Sequence, residues 1–350
     1  MKGKQGMVCM GLLLVLSSCH TGKQITASGL QRKDFQTEVN GQHTDLFTLS
    51  NKQGMEVCIT NYGARVVSIL VPDRNGKRED VVCGFSTITE YMEQRQNFGS
   101  TVGRYIGRIL NARFTLDGVE YKLVPNNGKS GHISHGGNPG FADRMWKVEQ
   151  ADTHRVRLSY LSPDGENGFP GNLKVTLVYS LGEDDNALDL TYEATTDAPT
   201  VLNLSHHSFF NISGNFTKSV EDQQLWVDAD RFTPYDDKKC VTGEYLQVAG
   251  TPLDFRMPHA IGECIDADHP QLKVVNGYDH TWELNTKGDD TRPAAWVYDP
   301  ASGRKMEIFT TEPGMQIYTG NGLKGKMTGK GGIAYPFRSA VCFETMHFQD

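Results

Sequence analysis

A stretch in the middle of the chain brings together side chains that could move protons near neutral pH. It reads Asn203-Leu204-Ser205-His206-His207-Ser208-Phe209-Phe210-Asn211 and follows the strand-like run Thr200-Val201-Leu202. Successive side chains of a strand point to opposite faces, so His206 and His207 cannot both face one pocket. A single imidazole on a rigid strand suits general acid–base catalysis, and a metal site on both histidines is disfavoured. The alternative is a hydrogen-bonded histidine in a sandwich core.

Four further stretches carry polar side chains in turn-rich, glycine-rich settings. Glycine beside a histidine lets a ligand approach the backbone closely. The stretches are Gly103-Arg104-Tyr105-Ile106-Gly107-Arg108-Ile109, Ser134-His135-Gly136-Gly137, Gly277-Tyr278-Asp279-His280 and Cys342-Phe343-Glu344-Thr345. Each of them, taken alone, is also compatible with a purely structural role.

The elements that must position these side chains are predicted to be β-strands. Alternating apolar and polar residues recur along most of the chain, for example over 173–179 and 188–192, which flank a polar turn. Residues 114–121 predict a hairpin with an Asp-Gly turn. No helical spacing is sustained beyond a few turns after the N-terminal leader. We therefore predict an all-β fold, one large antiparallel β-sandwich.

Composition limits the classes of partner. The chain has 350 residues and a formal net charge of -7, which argues against a basic nucleic-acid-binding surface. We expect a small neutral or polar molecule as the partner, no nucleic acid, and a monomer or weak dimer. Of the 7 cysteines, Cys9 and Cys19 lie near the N-terminus, and the others show no C-x-x-C spacing, so neither a disulfide framework nor a zinc site is predicted.

The N-terminus has the pattern of an export signal. Lys2 and Lys4 precede a short apolar run, Val8 to Leu16, which is too short for a permanent membrane span. The following Leu16-Ser17-Ser18-Cys19 has the form of a bacterial lipobox, with cleavage before a lipidated Cys19. We thus predict a signal peptide over 1–18, a tether over 19–40, and a sandwich domain over 41–350. The protein would be lipid-anchored to a bacterial membrane, outside the cytoplasm; the alternative is an ordinary cleaved signal peptide.

Taken in order, the stretches resemble the galactose mutarotase (aldose 1-epimerase) family, from about Thr48 to the last residue. Further matching pieces are Asn126-Asn127, Asp164-Gly165-Glu166-Asn167-Gly168-Phe169-Pro170-Gly171, Thr251-Pro252-Leu253-Asp254-Phe255-Arg256 and Thr311-Glu312-Pro313-Gly314-Met315-Gln316.

The resemblance implies both a fold and a reaction. The family fold is a large antiparallel β-sandwich, and its members interconvert the α and β anomers of free aldohexoses such as galactose and glucose. By resemblance, His207 is the general acid and Glu344 the general base. Arg108, His135 and Asp279 would bind sugar hydroxyls. No cofactor and no metal ion is implied.

Departures from the family pattern leave alternatives open. Gly107 stands where asparagine is usual before the arginine, and Ser134, His206 and Met346 also differ from the usual residues. The family usually continues beyond the glutamate stretch, so we expect a truncated C-terminus that frays near Glu344, with reduced stability. A non-catalytic or weakly active sugar-binding lipoprotein is one alternative. A glycoside hydrolase is another, although it requires two suitably spaced carboxylates.

Overall fold

A computed structural model describes residues 24–349, and antiparallel β-strands dominate it, as predicted. The strands are β1 (Glu38–Val39), β2 (Gln42–His43), β3 (Leu46–Ser50), β4 (Glu56–Thr60), β5 (Arg65–Pro72), β6 (Arg78–Asp80), β7 (Ser100–Val102), β8 (Arg108–Ile109), β9 (Arg113–Leu116), β10 (Val119–Lys122), β11 (Ile133–Ser134), β12 (Lys147–Ala151), β13 (Arg155–Ser162), β14 (Leu173–Leu181), β15 (Leu188–Thr196), β16 (Ser205–His207), β17 (Gln224–Val227), β18 (Ala229–Thr233), β19 (Leu246–Gln247), β20 (His259–Ala260), β21 (Asp279–Leu284), β22 (Ala295–Tyr298), β23 (Lys305–Ile308), β24 (Gly314–Tyr318) and β25 (Cys342–Met346).

Within residues 24–349, helical structure is limited to short segments. The α-helices are α1 (Ile88–Gln94) and α2 (Pro270–Val275), and the 3-10 turns are Arg32–Phe35, Leu110–Ala112, Gly128–Ser130, Phe141–Asp143, Glu166–Gly168 and Lys330–Gly332. In residues 24–349, no helix has the length and apolar composition needed to cross a membrane.

The strands form four larger sheets and several two-stranded ribbons. The larger sheets have the orders β3-β4-β5-β6, β12-β13-β14-β15, β20-β17-β22-β23 and β19-β18-β21-β24-β25. Ribbons pair β1 with β2, β7 with β16, β8 with β11, and β9 with β10. The β9–β10 hairpin turns at Asp117-Gly118, and both residues have positive φ (51° and 80°), the conformation that an Asp-Gly hairpin turn adopts.

Alternation along the strands builds the core. On β14, Leu173, Val175, Leu177 and Tyr179 are buried and pack in one cluster with apolar residues of β4 and β5. A second cluster lies around Trp282 and joins the sheets that contain β17 and β21. Full burial of one such aliphatic side chain contributes about 1.5–3 kcal/mol. These clusters hold the strands that carry the polar side chains of the site.

The prediction of a tether over residues 19–40 is wrong for residues 24–40, which fold onto the sandwich. Leu30 and Phe35 are buried, and Phe35 packs in the cluster that contains Leu46 and Tyr62. The backbone N–H of Ala27 donates to Glu56 Oε1 at 2.7 Å. Two well-spaced apolar residues anchor this polar segment, although it shows no hydrophobic period. The predicted signal peptide and Cys19 lie outside the described residues.

The expected fraying near Glu344 does not occur in the described chain end. Glu344 lies inside β25, which pairs with β24 from Gly314↔Met346 to Tyr318↔Cys342. Beyond the strand, Asn203 Nδ2 donates to the carbonyl oxygen of His347 at 2.9 Å, and Tyr105 Oη donates to that of Phe348 at 3.1 Å. The last strand is therefore fixed on both its flank and its end.

Replacement of Phe35 by alanine tests whether the N-terminal segment is part of the folded domain. Phe35 has no exposed surface, so Phe35→Ala should lower the free energy of unfolding by about 3–5 kcal/mol. Ile25→Ala is the matched control in the same segment, because Ile25 is 63% exposed. Urea unfolding followed by circular dichroism measures both. Equal, small losses for the two variants would mean that the segment is not an integral part of the fold.

Candidate active site

The five residues selected from the sequence line one cavity of about 240 Å³. They are His207, Glu344, Arg108, His135 and Asp279. The remaining lining residues, which were not predicted as site residues, are Gln96, Asn97, Gly107, Ser134, Phe209, Gln316, Tyr318 and Gln349. Residues far apart in sequence thus meet because the register of several strands brings them together.

His207 is positioned at the end of β16, opposite Ser100 of β7. Its ring stacks on that of Phe209, with the centroids 5.1 Å apart and the planes 17° apart. His206 lies on the other side of the strand, where its Nε2 forms a 2.6 Å hydrogen bond with Ser208 Oγ and its ring lies near Tyr179. The structure places the two imidazoles apart, as strand alternation predicts, and only His207 lines the cavity.

Cross-strand register places Glu344 beside the other polar groups. On β25 it lies opposite Gln316 of β24, and Tyr318 of β24 lies opposite Asp279 of β21. Directly paired residues share one face of a sheet, and so do residues two positions apart on one strand. These four side chains therefore project from one face into the cavity.

His207 and Glu344 form a buried pair. His207 Nε2 lies 3.4 Å from Glu344 Oε1, and the two residues are 6% and 3% exposed. Burial raises the pKa of Glu344 well above its usual value, reinforced by the nearby Asp279. Burial also lowers the pKa of His207 to about 4. Both shifts favour the uncharged forms, a protonated carboxyl beside a neutral imidazole, over an ion pair.

His135 and Arg108 enter the cavity from the β8–β11 ribbon, in which Arg108 pairs with Ser134. The backbone N–H of Gly107 donates to His135 Nδ1 at 3.4 Å. Burial and the neighbouring His207 and Arg108 lower the pKa of His135 to about 3. His135 is therefore neutral at pH 7, and because its Nδ1 accepts a hydrogen bond, its Nε2 carries the proton and can donate.

Asp279 is held by a residue that the sequence analysis did not select. Gln316 Nε2 donates to Asp279 Oδ1 at 2.6 Å and to Tyr235 Oη at 3.1 Å. Burial raises the pKa of Asp279 above its usual value. Alternation along the strand after Pro313 could have identified Gln316 and Tyr318 as residues on one face. No sequence pattern points to Gln349, whose position depends entirely on tertiary structure.

A metal ion has one candidate set of ligands in the described part of the chain. Ligand atoms of His207, Cys342 and Glu344 lie within 4.8 Å of one another. Burial raises the pKa of the Cys342 thiol well above its usual value, with Glu344 adding to the shift. A thiol must lose its proton to bind a metal well, so this environment opposes ligation. A larger concavity of about 580 Å³, lined by residues within 36–47 and by Asn61 and Val148, contains none of these three residues.

Three histidines, of which His207 is buried and His135 and His206 are partly buried, make stability depend on pH. The folded-state pKa values of His135 and His206 are about 3 and that of His207 is about 4, below the usual 6.5. Between pH 6.5 and 4 the unfolded chain therefore binds more protons at these groups, and their contribution to stability is lost as pH falls. Because the pKa of Glu344 is raised, its contribution to the change of unfolding free energy with pH has the opposite sign. Single variants therefore separate the contribution of each group.

His206→Asn should reduce the slope of unfolding free energy against pH by up to about 1.4 kcal/mol per pH unit near pH 5. The reason is that one group that takes up a proton on unfolding has been removed. His43→Asn, on the exposed strand β2, is the control for the substitution itself. Urea titrations between pH 4.5 and 7 measure both slopes. An unchanged slope for His206→Asn would contradict the burial argument.

Comparison with known proteins agrees with this geometry. The aldose 1-epimerase family profile matches residues 45–350. Galactose mutarotase from Bos taurus is 40% identical over 305 residues, which cover 87% of this chain and 85% of that protein. Aldose 1-epimerase from Escherichia coli is 36% identical over 286 residues, covering 82% and 81%.

A solved structure shows the same fold. Galactose 1-epimerase from Lactobacillus acidophilus superposes with a TM-score of 0.78 at 29% identity, covering 89% of this chain and 88% of that one. The profile match and the sequence identities extend over most of the chain, through all the strands that line the cavity. This protein belongs to the aldose 1-epimerase family.

Proposed function

We propose that this protein is an aldose 1-epimerase that interconverts the α and β anomers of free aldohexoses such as galactose and glucose. The observation that carries the proposal is the buried His207–Glu344 pair, 3.4 Å apart, at the edge of a small polar cavity. The cavity volume, about 240 Å³, is below the roughly 300–1,000 Å³ typical of pockets for drug-sized ligands. A single sugar ring is the matching class of substrate.

The reaction requires two proton transfers. Ring opening removes the proton of the C1 hydroxyl and protonates the ring oxygen. The aldehyde end then rotates, and reclosure on the other face gives the second anomer. In the proposed mechanism the Glu344 carboxylate accepts the hydroxyl proton, and the His207 imidazolium donates to the ring oxygen. A positioned group of this kind contributes about 10²–10⁴-fold to the rate.

Burial disfavours the state that begins this step, a carboxylate beside an imidazolium, and favours the state that ring opening produces. After opening, Glu344 is protonated and His207 is neutral, and these are the states that burial favours at both groups. Reclosure returns both protons, so the cycle needs no proton from solvent. One proton held by the pair is therefore sufficient for a full α-to-β conversion.

The other cavity residues supply the groups that recognise hydroxyls. In this proposal the Arg108 guanidinium and the His135 Nε2–H donate to sugar oxygens, and the Asp279 carboxylate accepts from a sugar hydroxyl. Gln316 fixes the Asp279 carboxylate through their 2.6 Å hydrogen bond. Phe209 stacks on His207 and limits the directions in which the imidazole can turn.

Conservative variants of the pair test the assigned roles. Glu344→Gln keeps the shape but removes the base, and His207→Asn removes the acid, so each should lower kcat by a factor of about 10² or more. His206→Asn is the matched control, because His206 lies outside the cavity. Polarimetry on freshly dissolved α-galactose and α-glucose gives the rates, and circular dichroism checks folding. A larger loss for His206→Asn than for His207→Asn would refute the assignment of the acid.

Two other functions are tested by the same variants, one by polarimetry with a binding measurement and one by a hydrolysis assay. A folded wild-type protein that binds galactose but leaves mutarotation at the spontaneous rate would be a sugar-binding protein. The cavity also holds two carboxylates, Asp279 and Glu344, which is the residue requirement of a glycoside hydrolase. Release of nitrophenol from nitrophenyl galactosides, abolished in Glu344→Gln, would favour hydrolysis over anomer interconversion.

We also propose that the protein is anchored outside the cytoplasm by a lipid on Cys19, after removal of residues 1–18. The support is the sequence Leu16-Ser17-Ser18-Cys19 behind a basic, apolar leader. The segment from residue 24 packs on the sandwich, so only a few residues would separate the domain from the membrane surface.

Cys19→Ser should block lipidation, and the protein should move from the membrane fraction to the soluble fraction or accumulate unprocessed. Fractionation with immunodetection and intact-mass analysis are the measurements. Ser18→Ala is the neighbouring control and should remain processed and membrane-bound. If Cys19→Ser fractionates and is processed like the wild type, the anchor proposal is wrong.

A further inference from the structure

The side chain of Gln349 fills the space that a side chain at position 107 would occupy. Gly107 has φ +78°, and a Cβ built on it would lie 2.5 Å from Gln349 Cγ and 2.7 Å from Gln349 Oε1. Gln349 is only 5% exposed and lines the same cavity as His207 and Glu344. A residue from the end of the chain thus takes the place of a local side chain in the Arg108 loop.

The Gln349 amide joins the two halves of the cavity. Its Oε1 accepts from the backbone N–H of Arg108 at 3.0 Å, and its Nε2 donates to Gln316 Oε1 at 3.2 Å. Gln316 in turn donates to Asp279 Oδ1 at 2.6 Å. Two amides therefore connect the backbone of Arg108, on the β8–β11 ribbon, to the carboxylate of Asp279, on the β21–β24 sheet.

The direction of these hydrogen bonds is fixed. Gln316 Oε1 also accepts from Thr281 Oγ1 at 2.5 Å, so this oxygen has only donors around it. Reversal of the Gln349 amide would place its NH₂ against the N–H of Arg108 and its oxygen against Gln316 Oε1. Every polar atom of the Gln349 amide is therefore matched in one orientation. A group of the same size without polar atoms would leave the Arg108 N–H without this acceptor and would remove one of the donors to Gln316 Oε1.

The backbone that carries Gln349 is itself anchored. Asn203 exchanges two hydrogen bonds with His347, and the Phe348 ring packs on Tyr245 with the centroids 5.2 Å apart. Chain-end anchoring and the amide connection are separate features, because Phe348 is not among the cavity residues. They can therefore be changed independently.

We infer that Gln349 is a positioning residue of the sugar site: it sets the separation between Arg108 and Asp279 and replaces the side chain that Gly107 lacks. The inference rests on the proposed function, since it assigns Arg108 and Asp279 to sugar recognition. Gln349 acts on binding of the hydroxyls and has no part in the proton transfers of His207 and Glu344. Its loss should therefore raise KM much more than it lowers kcat.

Gln349→Met tests the hydrogen bonds, because methionine keeps nearly the same volume and length. We expect KM for α-galactose to rise about tenfold while kcat changes by less than about threefold. Phe348→Ala is the control for the chain end and should lower the thermal midpoint without raising KM. Wild-type KM in a folded Gln349→Met variant would overturn the inference.

The reciprocal position gives a second, independent test. Gly107→Asn in the wild-type background would collide with Gln349 and should reduce kcat/KM. In a Gln349→Ala background the same change fills the vacated space with an amide, and asparagine tolerates positive φ. There it should improve kcat/KM, so the substitution should have opposite effects in the two backgrounds. Equal losses in both backgrounds would overturn the inference.

The two proposals fail in distinguishable ways. If the wild-type protein does not accelerate mutarotation, the proposed function is wrong, and the role of Gln349 in sugar recognition is wrong with it. If the wild type is active and the Gln349 and Gly107 variants show neither the KM change nor the reversal of sign, only the positioning role is wrong.

Discussion

The site depends on withdrawing an imidazole and a carboxyl from water together. In water, Glu344 would be ionised and His207 would be about one quarter protonated at pH 7, and neither state would be tied to the other. Within the sandwich, burial raises the pKa of the carboxyl and lowers that of the imidazole. His207 Nε2 and Glu344 Oε1 lie 3.4 Å apart, and burial favours the uncharged form of each group. Most other features of the cavity keep these two groups buried, oriented and next to a sugar-sized space.

The pairing register of the strands positions both groups at the cavity. β16 carries His207 at its end, and β25 carries Glu344 opposite Gln316 of β24. A shift of one residue in β25 would turn Glu344 to the opposite face and bring Phe343 or Thr345 into its place in the cavity. Such a shift is costly because Phe343 and Cys342, neighbours on this strand, are buried in two different apolar clusters, which fix the face that each side chain occupies. Core packing and catalytic geometry are thus set by the same pairing of strands.

Local sequence patterns predicted the strand-borne features well. Alternation alone separated His207 from His206, and the Asp117-Gly118 turn was evident from its residues. The family resemblance selected five side chains that do line one cavity. Patterns failed where a position depends on distant packing. Leu30 and Phe35 are isolated apolar residues in a polar stretch, and their burial becomes evident only when the surface that receives them is known. Gln349 and Gln316 enter the site through contacts between distant segments, and no local period encodes such contacts.

Gly107 departs from the family pattern, and a side chain from a distant part of the chain fills the space that this departure leaves. Considered as sequence, the glycine removes a side chain from the sugar site. In the folded chain the Gln349 amide occupies that space and joins the Arg108 loop to the Gln316–Asp279 pair.

Magnetisation exchange at equilibrium tests most directly whether the buried His207–Glu344 pair opens and recloses a sugar ring. Nuclear magnetic resonance of galactose follows transfer between the α and β anomeric proton signals, with no net reaction. We expect an exchange rate that increases linearly with the concentration of wild-type protein and stays at the buffer rate with a folded Glu344→Gln, His207→Asn double variant. Exchange at the buffer rate with the wild-type protein, or undiminished exchange with the double variant, would contradict this role of the pair.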